Sequence, residues 1–229
     1  HIVQFDRRID WARSDMDTGG LHTLHWFEPA LIVFIQTGDP RWRAFIIDIL
    51  TQYDEAAHDP RLRRVLEPYV FEFQCVWTKW PILLACYLAF IHAEYPPLSA
   101  LEGLLKTFLS FGRALDWKMR DYEPAYNLLA VTIPTLLQIA RVFPEFAESP
   151  RWDRKAVRFL RSHAREGFYA DGGNRERVWG YGMMHLDGLT SGYQGARQYG
   201  GLGKHDGAIL NTIRRACAWY VKTAGPPPN

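Results

Sequence analysis

Two short stretches of this 229-residue chain carry residue types that can handle an acidic ligand. The first is Asp121-Tyr122-Glu123-Pro124-Ala125-Tyr126-Asn127, which runs into an apolar segment. Pro124 suits the first position of a helix, where a missing N–H costs nothing. Asn127 then falls in the first turn, near the positive end of the helix dipole. Its amide can donate to an anion there, beside free backbone N–H groups. The competing reading is a polar residue on a solvated turn. The second stretch is Asn174-Arg175-Glu176-Arg177-Val178-Trp179-Gly180-Tyr181, followed by His185. Arg175 and Arg177 match a carboxylate or sulfate, Trp179 can stack on a sugar face, and Glu176 can orient an arginine. Tyr181 stands between Gly180 and Gly182, where a ligand can come close, and a phenol so placed can take up a proton and return it. Its competing reading is a half-buried structural tyrosine. His185 is grouped with these as a substrate-contacting candidate. Trp80, beside Trp77 and Lys79, is a candidate groove wall, with helix-core packing as the alternative.

These residues need helices to hold them. Trp42, Phe45, Ile46, Ile49, Leu50 and Tyr53 form one apolar helical stripe, and Ile209, Leu210, Ile213, Ala216, Cys217, Tyr220 and Val221 form another. Trp152, Ala156, Phe159 and Leu160 mark a basic amphipathic helix whose charges, Arg151 to Arg165, read as a solvated face. Breakers recur at Gly38-Asp39-Pro40, His58-Asp59-Pro60, Tyr95-Pro96-Pro97, Glu123-Pro124, Phe143-Pro144 and Ser149-Pro150. The pattern predicts helices near 20–37, 41–57, 66–94, 98–117, 124–142, 151–167, 182–199 and 205–223. Pro29, Pro81 and Pro134 should kink or split three of them. Gly167 to Gly182 lacks a helical stripe and reads as a loop or small hairpin turning at Asp171-Gly172. The fold class is all-α, built of antiparallel helical hairpins that can close as a bundle, a solenoid or part of a toroid.

Composition narrows the function. Apolar residues are 48% and charged residues 23%, which excludes a disordered chain. A net charge of +2 lacks the basic excess of a nucleic-acid binder. The apolar runs Pro81 to Ile91 and Tyr126 to Ala140 are too short to span a bilayer, so no membrane partner is expected. Cys75, Cys86 and Cys217 imply neither a disulfide framework nor a metal site and read as buried small apolar residues. No metal and no cofactor is expected, because no HExxH, P-loop or GxGxxG is present. The chain begins at His1 without a signal-like segment and ends in Gly225-Pro226-Pro227-Pro228. It therefore reads as an excised piece, with 225–229 a Pro-rich linker or cut end.

The motifs together resemble the helical domain of the heparinase II/III-like polysaccharide lyases, a group that includes alginate and oligo-uronate lyases. Ile9-Asp10-Trp11, Leu24-His25-Trp26 and Thr37-Gly38-Asp39 are similar to the family's entry helices. Tyr126-Asn127-Leu128 with Phe143-Pro144-Glu145-Phe146 resembles its Asn-containing helix. Phe168-Tyr169-Ala170-Asp171-Gly172, then Glu176 and Gly180-Tyr181, resembles its tyrosine loop. Leu128 and Gly182 depart from the pattern, since many members carry His there. The resemblance implies an incomplete (α/α) toroid over residues 1–224 and a C-terminal β-rich domain of the same protein that supplies a further His. It implies an acidic polysaccharide or oligosaccharide as substrate, and a periplasmic or secreted location. It further implies β-elimination beside a uronate carboxylate, with Asn127 neutralising the carboxylate and Tyr181 as base and acid. Two other expectations stay open: a hydrolase using Asp171 and Glu176, and a non-catalytic binder of acidic carbohydrate.

Overall fold

A computed structural model of the chain describes residues 9, 11, 23–61, 73–94, 96–119 and 127–224; the side chains of 58, 73–75, 127 and 204 fall outside that description. Asp121 to Tyr126 and 225–229 also lie outside it, so Pro124's place and the terminal linker are not described. The described residues form eight α-helices and one isolated antiparallel bridge, with no extended strand. They group into two compact units, 1–111 and 112–229. None of the described helices is long and apolar enough to cross a membrane.

The first unit holds α1 (Glu28–Thr37), α2 (Pro40–His58), α3 (Phe73–Ile91) and the greater part of α4 (Leu98–Lys118). Pro29 does not interrupt a helix. A 3-10 turn at His25–Phe27 precedes it and α1 begins at Glu28, so the ring occupies a first turn that needs no N–H. Pro81 lies inside α3, which runs on through it instead of splitting. Asp39 caps α2 by accepting from the Arg41 backbone N–H at 2.9 Å. The expected stripe of α2 is buried at Ile46, Ile49, Leu50 and Tyr53. Trp42 and Phe45 remain more than a third exposed and meet edge to face. Trp80 is sealed in this core, 1% exposed and edge-on to Phe108, which removes it from the substrate-contacting residues. Its neighbour Lys79 is fully buried, donating to the Tyr53 hydroxyl at 2.8 Å with its ammonium against the rings of Tyr53 and Phe111.

The second unit opens with the last turns of α4 and adds α5 (Asn127–Val142), α6 (Ser149–Glu166), α7 (Trp179–Gln198) and α8 (Asp206–Thr223). Phe143-Pro144-Glu145-Phe146 reverses the chain between α5 and α6. The two phenyl rings stack at 5.2 Å and Ser149 Oγ donates to the Phe143 carbonyl. α6 buries Trp152, Ala156 and Leu160 as the pattern predicts. Its basic face is not simply solvated: Arg151 and Lys155 both grip Asp116 of α4, at 2.6 and 2.7 Å. Trp152 lies so close to Gly112 that a Cβ there would stand 2.4 Å from the indole. α8 is narrower than its expected stripe, because Ile209, Ile213, Ala216 and Tyr220 are buried while Val221 and Cys217 are exposed. Cys86 is buried as expected, and burial pushes its thiol up to about 12.

α5 and α7 form the centre of this unit and run parallel. A Cβ on Gly188 would meet the Ala130 carbonyl oxygen at 2.0 Å, one on Gly192 would lie 3.6 Å from Pro134, and one on Gly195 would touch Gln138 at 3.4 Å. Gly188 thus lets backbone approach backbone, while Gly192 and Gly195 make room for side chains. Pro134 inside α5 faces this stripe without breaking the helix. α6 runs antiparallel to α7, with Leu160 against Gly192 and His163 against His185. At the far end Arg141 donates to the Ala196 carbonyl at 2.6 Å and to Asp153 at 2.5 Å, closing the last turn of α7 with a cation. Replacing Arg141 by Met should lower the unfolding free energy by about 2–3 kcal/mol, since it strands a carboxylate and a helix-end carbonyl. Denaturant titration measures this, and an unchanged midpoint would refute the closing role.

Candidate functional site

The parallel pairing decides what meets at the near end. The described helix α5 begins at Asn127, and the first turn of α7 carries Trp179 and Tyr181. The register through Ala130 and Gly188 places Asn127 level with His185, one turn or about 6 Å along α7 from Tyr181. The N-terminal ends of both helices therefore share one end of the pair. The Asn127 side chain lies outside the described residues. Tyr181 is 47% exposed and Trp179 48%, so neither ring is a core residue.

The loop between α6 and α7 wraps over this end. Phe168 and Asn174 form the isolated bridge, and the chain turns at Asp171-Gly172 as expected. Gly172 has φ +99°, and a Cβ there would collide with the Arg215 carbonyl of α8 at 2.3 Å. Asp171 Oδ1 accepts from the Gly173 N–H. Asn174 is buried, donates to the Gly167 carbonyl at 3.0 Å and accepts from the Glu176 N–H at 2.9 Å. Arg175 and Arg177 remain outside the core and gather on Tyr169: one guanidinium lies 5.6 Å from its ring centre, the other donates to its hydroxyl at 3.3 Å. Two arginines beside the N-terminal end of α7 bring positive charge to this end. The absence of a side chain at Gly182 has a physical cause. A Cβ would overlap the Tyr220 hydroxyl at 1.8 Å.

Glu176 and His185 are placed differently from the expectation. His185 is fully buried, so it cannot touch a ligand as placed. Glu176 Oε2 is buried too and faces His185 Nε2 at 3.5 Å. On the other side His185 Nδ1 is 3.3 Å from His163 Nε2, with the rings nearly parallel at 11°. His163 was invisible as a partner in the sequence, because nothing in a basic amphipathic helix marks one histidine as buried. Burial, then the neighbouring His163, depress His185 to about 3 from an ordinary 6.5. A depressed histidine stays neutral in the fold while the unfolded chain takes up a proton. It therefore contributes full stability above pH 6.5 and loses it as pH falls toward about 3. Relative to a His185→Gln variant, the wild type should lose up to about 1.4 kcal/mol per pH unit below that point. Unfolding at a series of pH values tests this, and a constant difference between the two proteins would contradict it.

Two cavities among the described residues lie away from this end. One of about 160 Å³ in the first unit is lined by Tyr53, Asp54 and Gly103, and an open one of about 600 Å³ surrounds Arg141, Asp153 and Tyr199 at the opposite end of α7. Tyr181 and Trp179 of the candidate site are exposed at the shared end of α5 and α7.

Comparison with known proteins adds the following. A family model described as "Heparinase II/III N-terminus" matches residues 1–228. The fold matches a crystal structure of the heparan sulfate lyase HepC from Pedobacter heparinus, with TM-score 0.69 and 21% identity over 93% of this chain and 33% of that one. It also matches a crystal structure of heparinase III, with TM-score 0.65 and 16% identity over 87% of this chain and 30% of that one. A heparinase III gene product gives TM-score 0.64 and 18% identity over 93% and 36%. The chain spans about a third of the length of these solved structures, and at such identities the likeness concerns the fold alone. No curated protein sequence matches the chain.

Proposed function

The chain belongs to the heparinase II/III N-terminus family, and from that premise we propose that it is the helical part of a lyase that cleaves uronate-containing acidic polysaccharides by β-elimination. The observation that carries the proposal is the parallel α5–α7 pair, which brings the Asn127 end of one helix to the Tyr181 turn of the other. In the proposed reaction a uronate carboxylate sits at the shared helix ends. The Asn127 amide donates to it and stabilises the enolate-like charge that develops when the neighbouring proton leaves. One such preorganised donor is worth about 3 kcal/mol. Tyr181 removes that proton or returns one to the departing 4-linked oxygen. Arg175 and Arg177 hold acidic groups along the chain, and Trp179 offers a ring face for stacking. A C-terminal β-rich domain of the same protein supplies the remaining His, and the whole works in the periplasm or outside the cell.

Hydrolysis is the weaker reading. It requires two carboxylates flanking one scissile bond. Asp171 closes its own turn, and Glu176 points inward to His185. The test of the proposal is release of unsaturated uronate product by the full-length protein from heparan-type and alginate-type polymers, followed by its ultraviolet absorbance. An Asn127→Ala variant should lose about 100- to 1000-fold in kcat. Saturated products, or full activity in that variant, would overturn the proposal.

A further inference from the structure

The loop 167–178 carries a strain that its exposed side cannot explain. Arg177 has φ +57°, a left-handed conformation that a non-glycine residue holds only when its surroundings impose it. Part of the constraint is local, through the Arg177 N–H to the Asn174 carbonyl at 3.2 Å. The remainder points inward. Glu176, between two outward arginines, brings its carboxylate Oε2 to 3.5 Å from the buried His185 Nε2, an electrostatic contact and not a formed hydrogen bond, and His185 continues to His163. Phe168 closes this chain edge-on against both imidazoles, at 5.9 and 6.3 Å. Gly167 borders it too, since a Cβ there would lie 3.2 Å from the His163 ring.

Acid–base chemistry gives the chain a direction. The negative charge of a carboxylate 3.5 Å away favours the His185 tautomer with its proton on Nε2, facing Glu176. His185 Nδ1 is then an acceptor, which fixes the His163 proton on Nε2 as well. We propose that Glu176, His185 and His163 form a buried positioning relay that sets the loop, and with it Arg175 and Arg177, in the posture that receives an acidic sugar. The identity of that ligand rests on the lyase reading; the relay itself does not.

The experiment uses the full-length protein labelled with 15N-histidine, as wild type and as Glu176→Gln. In the wild type, long-range proton–nitrogen spectra at neutral pH should show His163 and His185 neutral and protonated on Nε2. A glutamine can donate or accept, so Glu176→Gln should mix the tautomers at both rings. It should also raise KM for an acidic oligosaccharide about tenfold with kcat within about twofold, the pattern of lost ground-state binding. Trypsin cleavage after Arg175 and Arg177 should speed up by about tenfold as the loop opens more often. If the wild type releases no unsaturated product, the lyase reading fails, and the spectra and cleavage rates alone decide the relay. Either histidine charged or protonated on Nδ1 in the wild type, or unchanged tautomers and cleavage in Glu176→Gln, would overturn it.

Discussion

Replacing Tyr181 by Phe in the full-length protein should lower kcat for unsaturated-product release by about 10²- to 10⁴-fold, the range for removing a positioned acid–base group. The fold should not change. Tyr181 is half exposed in the first turn of α7, so the lost hydroxyl leaves no cavity and strands no core partner. KM should move little, because the residues proposed to bind the polysaccharide, Arg175, Arg177 and Trp179, remain. A melting temperature equal to wild type with product release gone would separate chemistry from stability. Undiminished kcat would mean that the proton passes through another group.

The second large effect is structural. Alanine normally stabilises a helix relative to glycine by about 1 kcal/mol. At Gly188 the sign should reverse, because the added Cβ would meet backbone, the Ala130 carbonyl oxygen at 2.0 Å and its carbon at 2.5 Å, and backbone cannot rotate aside. Gly188→Ala should cost about 3 kcal/mol by forcing α5 and α7 apart. It should also reduce product release, since the same displacement separates Asn127 from Tyr181. Gly207, with nothing within 4 Å of its Cβ position, is the control. Gly207→Ala should be neutral or stabilising by up to about 1 kcal/mol. Melting curves of both variants check the pair, and a Gly188→Ala protein as stable as wild type would refute the close parallel packing.

Much of this arrangement is legible in the residues. The breakers locate the eight α-helices of the described residues, because Pro and Gly act locally and need no tertiary context to end a helix. The turn at Asp171-Gly172 is legible for the same reason. Pro29 sits in a first turn and not mid-helix, a difference of a few residues that the pattern cannot resolve without the cap. The α5–α7 pairing is hidden from the pattern, although Gly188, Gly192 and Gly195 at spacings of four and three mark a face that accepts a close neighbour. Which helix fills that face is a long-range matter that spacing does not encode. Trp80 and His185 fail as ligand contacts for one reason: residue type predicts chemistry, and burial decides whether that chemistry can reach a ligand. The inward turn of Glu176 depends on His163, in another helix, and no local pattern joins them.

The central proposal is that one uronate unit lies between Asn127, which would hold its carboxylate, and Tyr181, which would face its acidic C–H. The most direct measurement is a crystal structure of full-length Tyr181→Phe bound to a uronate oligosaccharide. The account predicts a carboxylate within about 3 Å of the Asn127 amide, with the sugar's acidic C–H turned toward residue 181. An oligosaccharide bound away from the shared end of α5 and α7, with Asn127 touching no part of it, would contradict the account.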